Sequence, residues 1–345
     1  MTEIRIRDIA VHEYAAFLAG VPHSIFHGTA WLDAVAGTFD LRLRLLGYFR
    51  DEVLLAVTPL MGRRIGPFLI WGAPLRKSGT PPAVPFCSPT TLAPLLLRSL
   101  RAWVARERLG FVQITVPGDM SAESSKSGES EPLDNLELDL QPAIEETWKS
   151  LSELPRRCVR KAVRMGVRIH WRSSEAMLAT QEELVSATYD RQGIRPNIPQ
   201  RLYRELLARR KDIGLRVLSA THSGRTVAAI WVLSDTRTCH YWDAASLEDA
   251  RELNANHLQV WCLIRWAYRR GFKTLDFVGT SSGGRAGTRP GIARFKRSMG
   301  GQPVEYRILY WYSPLMHAAF VGYRLANRWG QRLRALLGGS RATPA

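Results

Sequence analysis

Between Asn256 and Gly301 the spacing of apolar and polar positions changes period. Val260, Trp261, Ile264, Ala267 and Tyr268 recur at helical spacing, which predicts a helix with one apolar face. Gly271, directly after Arg269 and Arg270, predicts where that helix stops. Residues 274–278 then read as a short buried strand, and a glycine-rich loop over 279–291 delivers Phe295 and Lys296. A strand that opens into such a loop and ends on a lone lysine is a plausible site architecture.

The same order of elements occurs twice. LRLLGYFRDEVLLAVTPL (43–60) and LRVLSATHSGRTVAAIWVL (215–233) each read as two strands around a turn, at Asp51-Glu52 and at Ser223-Gly224. LRAWVARERLGFVQI (100–114) and LIRWAYRRGFKTLDF (263–277) each read as an amphipathic helix, a Gly-Phe stop and a short strand. A unit used twice predicts an α/β chain of two tandem domains with mixed sheets. The Ser/Glu-rich stretch 118–134 reads as a flexible loop or linker, and 136–140 alternates like a strand entering the next domain. The expected division is a first domain over 1–134, a second over 135–306 carrying the candidate site, and a C-terminal strand and basic helix over 307–345 returning to the first. Arg324, Arg328, Arg332 and Arg334 give that last helix a basic face that suits a membrane surface, RNA or plain solvent.

Composition narrows the partners. The 345 residues carry a net charge of +17, which favours a polyanion: tRNA, DNA, a lipid-linked pyrophosphate or an anionic membrane face. General solubility in an arginine-rich proteome is the alternative. No run approaches the ~20 apolar residues of a membrane span, and the N-terminus lacks the apolar core of a signal peptide. The expected location is the cytoplasm, with peripheral contact at the inner membrane left open. Cys87, Cys158, Cys239 and Cys262 form no CxxC pair and suit free thiols, so no structural zinc is expected.

Several constellations carry candidate chemistry. PRRCVRKAVRMGVRIHWR (155–172) puts Arg156, Arg160 and Arg164 on one helix face, with Arg157 and Lys161 beside them and Val159, Ala162 and Val163 as the buried face. A stretch this basic with no acid suits phosphate contacts, or a solvated face. In TYDRQGIRPNIPQRLYRELLARR (188–210), Arg191 and Arg195 flank a helix break at Gly193, and Tyr203 lies on the next helix. Either arginine offers a planar fork for carboxylate or phosphate, or is a surface residue. Alternation in the strand His240-Tyr241-Trp242-Asp243 places Tyr241 and Asp243 on one face and His240 and Trp242 on the other. One face lines a cleft, or the strand supplies a core aromatic pair and a capping Asp. Asp276, a carboxylate in an apolar run, is either a general base with a raised pKa or a structural hydrogen-bond partner.

Absent motifs exclude other chemistries. Gly279 to Gly284 has Walker-like spacing, but Arg285-Ala286 stands where Lys-Ser/Thr is required. There is no GxSxG, no HExxH, no dinucleotide fingerprint after a strand and no histidine cluster at metal spacing.

The order FHGTAWLDAV (26–35), PRRCVRKAVRMGV (155–167), YWDAAS (241–246), WAYRRGFKTLDFVG (266–279) and GIARFKRSMGG (291–301) resembles the FemAB family of aminoacyltransferases and the related CelD-like proteins of the GNAT acetyltransferase superfamily. The resemblance runs from about Phe26 to Tyr312. It implies two tandem GNAT-like domains, each a mixed sheet flanked by helices. It also implies transfer of an amino acid from aminoacyl-tRNA to an amine of a peptidoglycan precursor, with no resident cofactor or metal. Some relatives serve other envelope pathways, and some use acyl-CoA. The family's catalytic Phe-Lys pair falls on Phe295-Lys296, its strand tyrosine on Tyr241, and its precursor-binding Arg and Tyr on Arg191 or Arg195 and Tyr203. Asp276, Asp243 or the substrate itself would take the proton. The long helical hairpin that some members insert for tRNA is lacking, and the basic 155–172 stretch sits where it would begin. The superfamily's acetyl-CoA users hold pyrophosphate with a glycine-containing turn at a helix start. Here the equivalent DARELNANHLQVW (249–261) has no glycine and carries Glu252, which argues against acyl-CoA. The runners-up are an N-acyltransferase using acyl-CoA or acyl carrier protein on a polysaccharide or lipid amine, and a non-enzymatic polyanion-binding protein.

Overall fold

The structure is a computed structural model. It describes residues 4–88, 92–107, 109–123, 130–191, 193, 195–279 and 290–312, with scattered positions between 316 and 326. The 124–129 part of the expected linker, the 280–289 part of the glycine-rich loop, and Arg324, Arg328, Arg332 and Arg334 lie outside the described residues.

The first half runs β1 (Arg5–Asp8), α1 (Val11–Ala19), α2 (Thr29–Phe39), β2 (Arg42–Arg50), β3 (Val53–Ile65), β4 (Phe68–Ala73), α3 (Ala93–Arg106) and β5 (Phe111–Pro117). The second begins with β6 (Ser130–Asp139), α4 (Ile144–Ser150), α5 (Glu153–Arg164), β7 (Arg168–Trp171), α6 (Ala176–Asp190) and α7 (Gln200–Ala208). It continues through β8 (Arg216–His222), β9 (Arg225–Ser234), β10 (Thr238–Ser246), α8 (Asp249–Glu252), α9 (Ala255–Arg269), β11 (Thr274–Asp276), α10 (Pro290–Ser298) and β12 (Gln302–Tyr312). The two expected hairpins are β2–β3 and β8–β9. Both turn on residues in the left-handed region, Asp51 and Glu52 (φ 48° and 62°) and Ser223 and Gly224 (φ 49° and 81°). Two consecutive positive φ values match the right-handed twist of the flanking strands, as tight hairpins require.

All twelve strands join one sheet in the order β1-β2-β3-β4-β5-β12-β6-β11-β10-β9-β8-β7. The pairs β4–β5 and β10–β11 are parallel, and every other neighbouring pair is antiparallel. Each half is thus four antiparallel strands and a parallel fifth. The sixth place is filled by exchange: β6 follows the first half but pairs with β11, whereas β12 follows the second half but pairs with β5 and β6.

The duplicated helices do the same work in each half. Leu96, Leu100 and Val104 of α3 pack with Val112 and Ile114 of β5. Val260, Leu263, Ile264 and Ala267 of α9 pack with Leu136, Leu138, Leu275 and Phe277. On the opposite face one apolar cluster crosses between the halves, joining Trp31 and Leu32 of α2 to Leu202, Tyr203 and Leu206 of α7 and to Trp231 and Trp242. On α5 the buried residues are Pro155, Val159 and Ala162, whereas Val163, expected inside, is 58% exposed. One 100° step past Ala162 carries it off the α9-facing stripe. All four cysteines are free.

Candidate active site

β10 and β11 pair over only three registers, Thr238–Thr274, Cys239–Leu275 and His240–Asp276. β11 then ends while β10 continues to Ser246, so the sheet opens beyond His240 and Asp276. A β-bulge between Tyr241 and Asp243 overturns the alternation expected for this strand. The extra residue returns Asp243 to the face of Trp231 and α7, the side that also holds Trp242. Tyr241 packs instead toward Phe277 on the other face, ring centroids 6.0 Å apart.

Lys296 of α10 closes the opening. Gly300 (φ 96°) ends that helix, and a Cβ at Gly301 would crowd Lys296 O at 3.0 Å, so the two glycines ease the tight turn into β12. The lysine is 7% exposed. Its Nζ donates to the carbonyls of Val278 (3.3 Å) and Gly279 (3.1 Å) and lies 5.7 Å from the Tyr241 ring centroid. Burial pushes its pKa down to about 8, against the pull of the Asp276 and Asp243 charges. Phe295 points elsewhere and meets the His257 ring edge-on at 5.0 Å.

Asp243 and Tyr203 meet directly: the tyrosine hydroxyl donates to Asp243 Oδ2 at 2.6 Å, and Gln181 Nε2 donates to the same oxygen at 3.0 Å. Burial raises the Asp243 pKa, and these donors oppose it. Asp276 has both oxygens engaged. Oδ1 accepts from Asn135 Nδ2 (2.9 Å) and from the Val278 backbone N–H (2.7 Å), and Oδ2 accepts from His240 Nδ1 (2.9 Å). His240 is buried, which works against its charge. Its bonds to Asp235 and Asp276 outweigh the burial and hold its pKa at about 9. Asp276 thus has the geometry of a structural partner, not of a free base. Val278 has φ 61°, a left-handed conformation that costs a β-branched residue on the order of 1–3 kcal/mol. A cleft of about 350 Å³ is lined by Glu137, Asp235, His240, Asp276 and Tyr306, and by Pro22, His23, Ser24 and Phe26 of the first half.

The structure therefore brings Lys296, Tyr241, Asp243, Tyr203 and Asp276 to one place. Arg191 is tied at the end of β10: its Nη1 donates to Ser246 O at 3.2 Å and lies 3.7 Å from Glu248. Arg195 is exposed. Arg157, Arg160, Lys161 and Arg164 are exposed on α5, and Arg156 is half-buried there. Sequence reading missed Gln181, although a polar residue on the helical stripe of Met177, Leu184 and Val185 is a readable signal. It also missed Asn135, Asp235 and Val278, whose roles depend on partners distant in sequence. Among the described residues, no group of three His, Cys, Asp or Glu is placed to hold a metal, and no helix is long and apolar enough to cross a membrane.

Residues 155–297 match the family model of the acetyltransferase (GNAT) domain. No curated protein matches the chain. Among solved structures, FemX shares 16% identity at a TM-score of 0.68, covering 91% of this chain and 99% of its own. A tandem GNAT protein from the clavulanic acid biosynthesis pathway shares 12% at 0.52, covering 90% and 99%. The C-terminal domain of a putative lysylphosphatidylglycerol synthetase from Agrobacterium fabrum shares 11% at 0.57, covering 90% and 94%. The sheet, with its repeated parallel pair, is thus the tandem architecture expected from the FemAB resemblance. Residues 155–297 thus match a GNAT acetyltransferase domain, and the chain as a whole has a FemX-like tandem fold.

Proposed function

We propose that the protein transfers an aminoacyl group from aminoacyl-tRNA to an amine of a peptidoglycan or other cell-envelope precursor. The observation that carries this reading is Lys296, an ammonium buried where β10 and β11 part and flanked by the carboxylates of Asp243 and Asp276. The amine nitrogen attacks the ester carbonyl, the new N–C bond forms, and the C–O bond to the ribose breaks. Negative charge collects on the carbonyl oxygen, and a fixed ammonium in a dry site stabilises it. The amine loses one proton, the departing ribose oxygen gains one, and Asp243 is placed to relay it. Tyr203 and Gln181 orient Asp243, Tyr241 walls the lysine, Phe295 fixes α10 against α9, and Arg195 is free to meet an anionic part of the acceptor.

The approach to α9 supports the choice of donor. The helical turn α8 fills the segment before it, the N–H groups of Arg251, Leu253 and Asn254 are spent on local carbonyls, and Glu248, Asp249 and Glu252 lie along it. A pyrophosphate at that helix start would meet carboxylates. The α5 cations Arg156, Arg157, Arg160, Lys161 and Arg164, on a helix packed beside α9, suit the tRNA backbone. The lysylphosphatidylglycerol synthetase neighbour is, by its name, concerned with an aminoacyl product.

A transfer assay with labelled aminoacyl-tRNA and labelled acetyl-CoA in parallel, on envelope-precursor extracts, tests the proposal. Label should move from tRNA. Movement from CoA alone would leave the acyltransferase assignment standing and overturn the donor. Binding of tRNA should weaken with salt, and replacing Arg157, Arg160 and Arg164 by Glu should flatten the log–log slope by about 2–3. An unchanged slope would remove α5 from the interface.

A further inference from the structure

We propose that Asp276 is a positioning residue: with His240 and Asp235 behind it, it clamps the Val278 backbone in the left-handed conformation that aims two carbonyls at Lys296. The inference rests on the reading of Lys296 as the group at the reacting centre.

The geometry is a chain of contacts. Asp235 Oδ2 lies 3.5 Å from His240 Nε2, and His240 Nδ1 donates to Asp276 Oδ2 at 2.9 Å. Asp276 Oδ1 accepts the Val278 N–H at 2.7 Å, a carboxylate-to-backbone turn two residues on. Val278 O and Gly279 O, in turn, accept from Lys296 Nζ. Asn135 Nδ2 braces Asp276 from β6 at 2.9 Å. Asp276 is 4% exposed and His240 5%.

A valine does not take φ 61° unaided. An extended residue at 278 would continue β11 and carry its carbonyl out with the strand. The left-handed turn folds the chain back at the point where β10 and β11 part, and both carbonyls come to the lysine. The strain sits two residues from a carboxylate that holds it and one hydrogen bond from the buried ammonium. His240, charged between Asp235 and Asp276, holds the Asp276 carboxylate in place by its hydrogen bond.

The groups facing Lys296 are Asp243 and Tyr241 from β10, Asp276 from β11 and the carbonyls of Val278 and Gly279, with Tyr203 of α7 behind Asp243. Asp276 therefore acts on the lysine in two opposed ways. Its charge favours the ammonium, whereas the turn it holds keeps the lysine buried, which disfavours it.

Substitutions separate the two. Asparagine at 276 can still accept the Val278 N–H but carries no charge, so Lys296 should titrate lower than its wild-type value of about 8. Alanine releases the turn, so Lys296 should titrate upward, toward the ordinary lysine value of about 10.4. Glycine adopts φ 61° freely, so adding Val278→Gly to Asp276→Ala should return the titration toward the wild-type value. The readout is the pH dependence of Lys296 modification by an amine-acylating reagent on the full chain, followed by peptide mass, with circular dichroism on each variant. Opposite shifts for Asp276→Asn and Asp276→Ala, with rescue by glycine, support the clamp. Shifts of the same sign, no shift, or no rescue overturn it, and if Asp276→Ala does not fold, a downward shift in Asp276→Asn with an unchanged titration in Val278→Gly, where Asp276 still holds the turn, supports the clamp and any other pair of results overturns it. The readout needs no turnover. Shifts as stated, together with no transfer from aminoacyl-tRNA by the wild-type protein, would therefore sink the proposed function and leave the clamp standing.

Discussion

Replacing Lys296 with alanine should lower transfer by about 10²–10³-fold, the usual cost of removing one donor to a developing oxyanion. The loss should appear in kcat, with little change in KM, because the charge it meets exists only in the transition state. Lys296→Met, which keeps the length of the stem, should lose as much, showing that the ammonium and not the packing matters. The pH profile adds an independent check. In the proposed mechanism the protonated lysine is the donor, and burial brings its pKa down to about 8, so the rate should fall as pH rises through that value. A rate that keeps climbing above pH 9 would make neutral Lys296 the active form, a base and not an oxyanion donor. Near-normal turnover in Lys296→Ala would remove the residue from the mechanism altogether.

Trp31→Ala should destabilise the fold by about 3–5 kcal/mol, the range for emptying a buried tryptophan site. Trp31 is fully buried, packs edge-on against Phe26 (5.0 Å) and Trp242 (5.9 Å), and donates through Nε1 to Thr80 Oγ1 at 3.2 Å. Trp242 in turn donates to Gly79 O at 2.8 Å. These contacts fasten the second half to the first, and Trp242 is the residue bulged out beside Asp243. The variant should therefore unfold at a lower urea midpoint and also lose turnover under conditions where it remains folded. A stability loss below about 1 kcal/mol would mean that the site absorbs the cavity and that Trp31 does not hold the halves together.

Much of the architecture is legible in the residues. The hairpins are marked by Asp51 and Gly224, turn residues that tolerate positive φ, and the α9 stop at Gly271 (φ 80°) by the same property. Their repetition reveals the duplicated unit, because helix-to-strand order is a local pattern. The strand exchange is not legible. Alternation in 302–312 says which side chains share a face, but nothing about whether β12 pairs with β5, β6 or the far edge of the sheet.

The candidate site divides in the same way. Lys296 and Phe295 are marked by their place after the glycine-rich loop, yet their side chains part company, one into the opening of the sheet and one against His257. The simple alternation of His240 to Asp243 fails because a bulge depends on the neighbouring strand, and a single strand carries no record of it. Asp276 shows in the sequence only as a carboxylate among apolar residues. Its partners come from positions 36 and 141 residues away in the chain, and they engage both of its oxygens.

The sequence by itself determined the elements, their duplication, the basic surface and the lysine that ends the loop, since each follows from periodicity, turn chemistry or net charge over a few neighbouring residues. Only the tertiary structure decided which strands meet, where β10 bulges and how Lys296 titrates. Those depend on burial and hydrogen bonds between segments far apart in the chain, and the free energy of a charge is set by the water and partners around it, not by its neighbours in sequence.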